Sequence, residues 1–106
     1  MALPTVARPA DLTIPKLSSN NYRVWSELMI EALEGRGVWG YVEGLTTKPT
    51  DVDQIRIWRQ DNAITTGIIK GALSESQLGH VMGIRDAKKA WDILKGIYQV
   101  NNLRRI

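Results

Sequence analysis

The sequence predicts an all-α fold, a compact bundle of about five helices behind an extended, proline-containing N-terminal arm. Three observations carry this expectation. Apolar residues recur at helical spacing in separate stretches. Those stretches open on Ser, Thr, Asn or Asp, whose side chains can accept an amide of a first helical turn. The glycines fall where the stretches end. With 106 residues there is room for one domain and no second. Cysteine and phenylalanine are absent, so four Trp and three Tyr carry the aromatic content and their positions decide the packing.

The arm spans residues 1–16. Prolines at 4, 9 and 15 keep it extended, because each fixes its own φ and discourages helix at the residue before it. Leu12 and Ile14 alternate with Asp11 and Thr13, a period of two that could lay one apolar edge on the helical body, while the first ten residues read equally well as a free tail. Charges at Arg8 and Asp11 break any signal-peptide core, and no run reaches the length of a membrane span. The expectation is a soluble, intracellular chain with no membrane partner.

Leu17 to Trp25 opens the body, with Asn20 as N-cap and Ser19 or Asn21 beside it in register. Tyr22, Trp25, Leu28, Met29, Ala32 and Leu33 take one helical face; Arg23, Glu27, Glu31 and Glu34 take the other. Gly35-Arg36-Gly37 ends this helix. The apolar run at 38–42 is expected to make one or two helical turns that seat Trp39 against the first helix. Leu45 to Thr50, with Pro49, is a loop.

A third helix is predicted from Val52 to Ala72, capped by Thr50 or Asp51, with Asp53 at the positive end of the helix dipole. Ile55, Trp58, Ile68, Ile69 and Ala72 share a broad apolar face, edged by Ile57 and Ile64, with Arg56, Arg59, Gln60 and Lys70 behind. Asp61, Asn62 and Thr65 fall inside that arc. A carboxylate there needs a partner, so Asp61 is expected on an indole N–H, a helix N-terminus or an arginine, in a structural role.

Ser74-Glu75-Ser76-Gln77 has the capping-box pattern, predicting a fourth helix of about two turns that buries Leu78, Val81 and Met82 and stops at Gly83. His80 projects away from it. Asp86 caps a fifth helix with Ala87, Ala90, Trp91, Leu94, Ile97 and Tyr98 inward. Lys88, Lys89, Asp92, Lys95 and Gln99 point out, a basic strip whose ordinary meaning is a solvated face and whose sharper meaning is RNA contact. After Tyr98 the pattern softens through Val100, Asn101 and Asn102, and residues 101–106, with Arg104 and Arg105, read as a truncated linker or next helix.

The net charge of +3 is too mild to name a partner. There is no glycine-rich phosphate loop, no Cys/His metal spacing, no nucleophile elbow and a single histidine, so neither an enzyme nor a cofactor is expected.

Three spaced patterns remain, in order: Leu-x-x-x-Asn-Tyr-x-x-Trp at Leu17, Asn21, Tyr22 and Trp25; Trp-x-x-Asp at Trp58 and Asp61; and Ala-x-x-Ala-Trp-x-x-Leu-x-x-x-Tyr at Ala87, Ala90, Trp91, Leu94 and Tyr98. Together they span Ile14 to Tyr98, and in this order they resemble the N-terminal half of Gag from copia-type LTR retrotransposons. The chain departs from that pattern at Ser19, where the family often has Gly, and it lacks the family's usual further helices and zinc knuckle. The resemblance implies a capsid N-terminal lobe at 17–100 that self-assembles into cytoplasmic virus-like particles around the element RNA. Its partners would then be further copies of itself, with RNA held by the region that follows.

The same motif positions are also the simplest candidates for the core, which moves interaction to the outside. The candidates there are Leu12 and Ile14 on the arm, Trp39 and Tyr41 at the 38–42 corner, Lys88, Lys89 and Lys95 on the fifth helix, and Arg104 with Arg105. Two other classes of function fit the same residues. One is a capsid-derived adaptor that takes a linear peptide in a groove between helices. The other is a sequence-blind nucleic-acid module using the fourth and fifth helices.

Overall fold

The computed structural model describes residues 14–104, with side chains to residue 99. Leu12 and Arg105, and the side chain of Arg104, lie outside the described parts. Five helices follow in order: α1 Tyr22–Gly35, α2 Trp39–Glu43, α3 Val52–Gly71, α4 Glu75–Leu78 and α5 Ala87–Arg104. Among the described residues the only β-type pairing is an isolated parallel bridge between Leu17 and Leu73, so the chain is all-α as predicted.

That bridge ties the entry segment to the end of α3. The Leu17 amide donates to the Ala72 carbonyl at 2.8 Å, and the Ser74 amide donates to the Leu17 carbonyl at 3.0 Å. Leu17 itself is fully buried. Asn21, rather than Asn20, holds the N-cap position of α1, and its side chain makes no cap bond. Its amide faces backward instead: Oδ1 accepts from the Ser18 amide at 2.8 Å and Nδ2 donates to the Lys16 carbonyl at 3.0 Å. An amide side chain carries both donor and acceptor, so it can lock a loop that a hydroxyl or carboxylate could only half satisfy.

α1 buries Trp25, Met29, Ala32 and Leu33. It closes at Gly37, whose φ of +76° is the left-handed position of a Schellman ending: the Val38 amide reaches the Leu33 carbonyl and the Gly37 amide reaches that of Glu34, both at 3.0 Å. In α2 the Trp39 ring meets Trp91 of α5 edge-on at 5.3 Å, a contact beyond the seating on α1 that the sequence predicts. The turn after α2 folds tightly over Gly40, whose carbonyl accepts from the Gly44 and Thr46 amides at 3.0 and 3.1 Å. A Cβ on Gly40 would lie 2.2 Å from Thr46 Oγ1 and 3.3 Å from its Cβ. Gly40→Ala is therefore expected to lower stability by about 1–3 kcal/mol, with partial recovery in Gly40→Ala/Thr46→Ala, read from urea unfolding midpoints.

α3 departs most from its wheel. Its buried residues are Asn62, Thr65, Thr66 and Ile69, whereas Ile57 and Ile64 are 54% and 49% exposed. Polar atoms can occupy that face because they are satisfied there. Thr65 and Thr66 hydroxyls donate to the carbonyls of Asp61 and Asn62, one turn back, each at 2.7 Å. Gly67 and Gly96 lie inside α3 and α5, so not every glycine closes a helix.

α4 is a single turn, shorter than predicted. The capping box does not form: Ser74 Oγ pairs with Ser76 Oγ at 3.1 Å, and Gln77 turns inward to accept from the Tyr98 hydroxyl. That buried acceptor is a better use of Gln77 than reaching back to an exposed amide. Val81 is buried as expected, but Met82 is 67% exposed where burial was expected, because the chain leaves the helix before it and turns at Gly83, φ +85°. The Asp86 carboxylate caps α5 through the Lys89 amide at 3.0 Å. The helix then runs without a break to Arg104, past the softening expected after Tyr98. Val and Asn lower helix propensity by only a few tenths of a kcal/mol each, about 0.7 at most, which does not stop an established helix.

Candidate functional site

The motif residues converge on the interior. Tyr98 stacks on Tyr22 at 5.4 Å, Tyr22 tilts against Trp25 at 6.1 Å, Trp25 stacks on Trp91 at 5.5 Å, and Trp39 closes the series on Trp91. This ladder joins α1, α5 and α2 ring to ring. Trp25 Nε1 donates to the Ala72 carbonyl at 2.9 Å, the oxygen that also accepts from Leu17. One carbonyl with two lone pairs thus fastens the entry segment and α1 to the end of α3. Ala87, Ala90 and Leu94 are fully buried; the small side chains let α5 approach its neighbours closely.

Trp58 and Asp61 sit elsewhere. Trp58 is half-buried outside the main core, and its Nε1 donates to the Thr46 carbonyl at 2.8 Å. Tyr41 lies 5.9 Å from the Trp58 ring and donates its hydroxyl to Asp61 at 3.1 Å. Asp61 does have a structural partner, but it is a phenol rather than the expected indole, helix end or arginine. The group pins the 45–50 loop to α3.

The polar residue at the centre of the fold is Asn62, which drew no role from the sequence. Its Oδ1 accepts from the Ala87 amide at 3.0 Å and its Nδ2 donates to Asp86 at 3.2 Å, so it holds both the first amide and the cap of α5. Thr66 Oγ1 adds a longer contact to the Arg85 carbonyl at 3.4 Å. The place of Asn62 beside Asp61 in the same arc was the only signal available.

Burial raises the pKa of Tyr22 and Tyr98, and burial with the hydrogen bond and negative charge of Asp61 raises that of Tyr41. These phenols stay protonated in the fold after the unfolded chain begins to lose protons near pH 10. The folded state then binds more protons, and stability falls as pH rises. Unfolding titrations are expected to be flat in this respect below about pH 10 and to slope downward above it, and Tyr41→Phe should shallow that slope.

Among the described residues no group of His, Cys, Asp or Glu is arranged to hold a metal, and no helix is long and apolar enough to cross a membrane. His80 is exposed. Of the lysine strip, Lys88 pairs with Asp92 at 2.7 Å and lays its stem over Gly44, where an added Cβ would meet its Cε at 3.2 Å. That pair is about half exposed on both sides and contributes little stability. Lys89 and Lys95 remain exposed. Ile14 packs half-buried on the core, and Trp39 and Tyr41 are likewise half-buried, so these expected contact residues are largely occupied by the fold.

The sequence did not point to the outer face of α3. Val52, Ile55, Arg56 and Arg59 line one hollow there, and Ala63, Gly67, Lys70, Met82 and Arg85 line much of a second. The signal was the 3-4 spacing of these positions, which the stronger wheel of isoleucines obscured.

What the geometry defines is a small helical structural lobe, internally satisfied, whose remaining character lies on its outer faces. Comparison with known proteins places it: the gag-polypeptide of LTR copia-type family matches residues 29–105, and the chain belongs to that family. Two relatives from Arabidopsis thaliana, the Retrovirus-related Pol polyproteins from transposons RE1 and RE2, are each 32% identical to it over 96 residues. The match covers 80% of this chain and 6% of each relative, so the chain spans only a small part of their length. No solved structure matches it significantly.

Proposed function

We propose that the chain is the N-terminal capsid lobe of a copia-type Gag, which self-assembles in the cytoplasm into virus-like particles enclosing the element RNA. The supporting observation is the division between inside and outside. Among the described residues no buried side-chain polar atom lacks a partner, while Val24, Val52, Ile57, Ile64 and Met82 stand about half to four-fifths exposed. Such residues on separate faces suit weak contacts, and a shell multiplies weak contacts through avidity. RNA is held mainly by the region that follows, since on the α5 strip Lys88 is already paired and the two other exposed lysines offer a thin footprint.

Sedimentation velocity across concentration tests the assembly, on this chain and on a chain extended beyond Ile106. Association that grows with concentration is expected; an extended chain that stays monomeric at high concentration, at low as at high salt, overturns the reading. Any RNA binding by the 106-residue chain should be sequence-blind and should fade as salt rises.

A further inference from the structure

Two outer faces of this chain are matched in charge and shape. On α1, Val24, Glu27, Glu31 and Glu34 follow one another at steps of three and four, and all four are exposed. They make an acidic stripe with an apolar end, on a helix of 14 residues, about 21 Å long. On α3, Val52, Arg56, Arg59, Ala63, Gly67 and Lys70 follow one another in the same rhythm. They line two successive hollows, of about 470 and 410 Å³, the second also lined by Met82 and Arg85. The run from Val52 to Lys70 is about 27 Å long. Apolar and small residues share its lining with Arg56, Arg59, Lys70 and Arg85, and no acid lines either hollow.

Among the described residues the only ion pair is Lys88–Asp92, so the carboxylates of α1 and the guanidiniums of α3 face solvent.

We propose that the acidic face of α1 on one copy docks along the basic, small-residue groove of α3 on a second copy of this chain. The inference deepens the assembly reading above and rests on it. The small side chains Ala63 and Gly67 let a helix approach α3 closely, and the cations lining the groove meet the carboxylates of the incoming helix. Because the two faces are different patches, the contact is heterologous. Each copy keeps one free donor face and one free acceptor face, so the contact propagates into rings or open arrays instead of closing as a dimer. A contact built on exposed charges is individually weak and salt-sensitive, as a reversible shell requires.

Charge exchange tests it. Arg56→Glu/Arg59→Glu and Glu27→Lys/Glu31→Lys should each leave the fold intact by thermal unfolding and weaken self-association at low salt at least tenfold. Mixing the two variants should restore association, since each then offers the other a complementary pair of faces. The absence of native cysteine gives an independent readout: Glu31→Cys and Arg59→Cys chains, mixed and oxidised, should form mixed disulfides well above a Glu31→Cys with Lys95→Cys control. If the parent chain associates but neither reversal matters, or mixing fails to restore, or cross-linking equals the control, this interface is wrong while assembly stands. If the parent and the extended chain are both monomeric at every concentration and no cross-link forms, assembly and interface fall together.

Discussion

Trp25→Ala is expected to remove most of the stability of the lobe. The side chain is fully buried at the middle of the aromatic ladder, stacked on Trp91 and tilted against Tyr22. Truncating a core Trp to Ala costs about 3–5 kcal/mol through lost transfer and the cavity left behind. It also takes one of two donors from the Ala72 carbonyl, where loss of a hydrogen bond adds about 1 kcal/mol. A domain of this size is held by roughly 5–10 kcal/mol in all, so the variant should be largely unfolded or close to its midpoint without denaturant. Trp25→Phe separates the two contributions. It keeps an aromatic ring on Trp91 and loses the N–H, with an expected loss of about 1–3 kcal/mol. Urea unfolding followed by the fluorescence of the remaining three Trp gives both numbers, and a loss under about 1 kcal/mol for the alanine variant would refute the ladder as the spine of the fold.

Asn62→Leu should be nearly as damaging, although it exchanges a polar core residue for an apolar one of similar length. The substitution strands the Ala87 amide and one oxygen of Asp86, and each buried group left unsatisfied costs about 1–3 kcal/mol. The expected loss is about 2–4 kcal/mol. Asn62→Asp adds a diagnostic. It places a second carboxylate against Asp86, which raises the folded-state pKa of the pair above the unfolded value near 3.9. The folded form then binds more protons, so the penalty relative to the parent should be small below about pH 4 and grow as pH rises through the folded pKa. A penalty independent of pH would show that residue 62 does not act on Asp86.

These two residues also show what could be read from the sequence. Trp25 was legible because periodicity and size speak together: a large apolar side chain on the common face of a capped helix has nowhere to go but inward. The same reasoning placed Met29, Leu33, Ala90, Trp91 and Leu94, all buried. Asn62 was not legible, because a wheel weighs each side chain by its transfer energy and knows nothing of hydrogen bonds that exist only once α5 has docked. The error ran in both directions. Ile57 and Ile64 were placed on the edge of the buried face and proved largely exposed, while Asn62, Thr65 and Thr66 took the interior. Gln77 repeated the lesson, since the local capping pattern was read correctly as a helix start but its side chain answered to Tyr98, 21 residues away.

The candidate surface was less legible than the fold. The expected contact residues are apolar residues of the arm, corner aromatics, α5 lysines and the terminal arginines, yet the structure half-buries Ile14, Trp39 and Tyr41 and pairs Lys88. The faces left over belong to α1 and α3, where glutamates and arginines had looked like ordinary solvent-facing residues. Only the hollows along α3 and the opposite charge of the two faces set them apart from an ordinary solvated face.

The motif residues hold the lobe together, and in the proposed assembly copies meet through outer faces that those residues only support. Side-chain footprinting with hydroxyl radicals, at concentrations below and above the onset of association, tests it most directly. Trp25 and Trp91 are expected to be protected equally in both states, while Val24, Val52 and Met82 react freely in the dilute chain and lose reactivity as copies associate. Concentration-dependent protection of Trp25 or Trp91, with no change at Val24, Val52 and Met82, would contradict it.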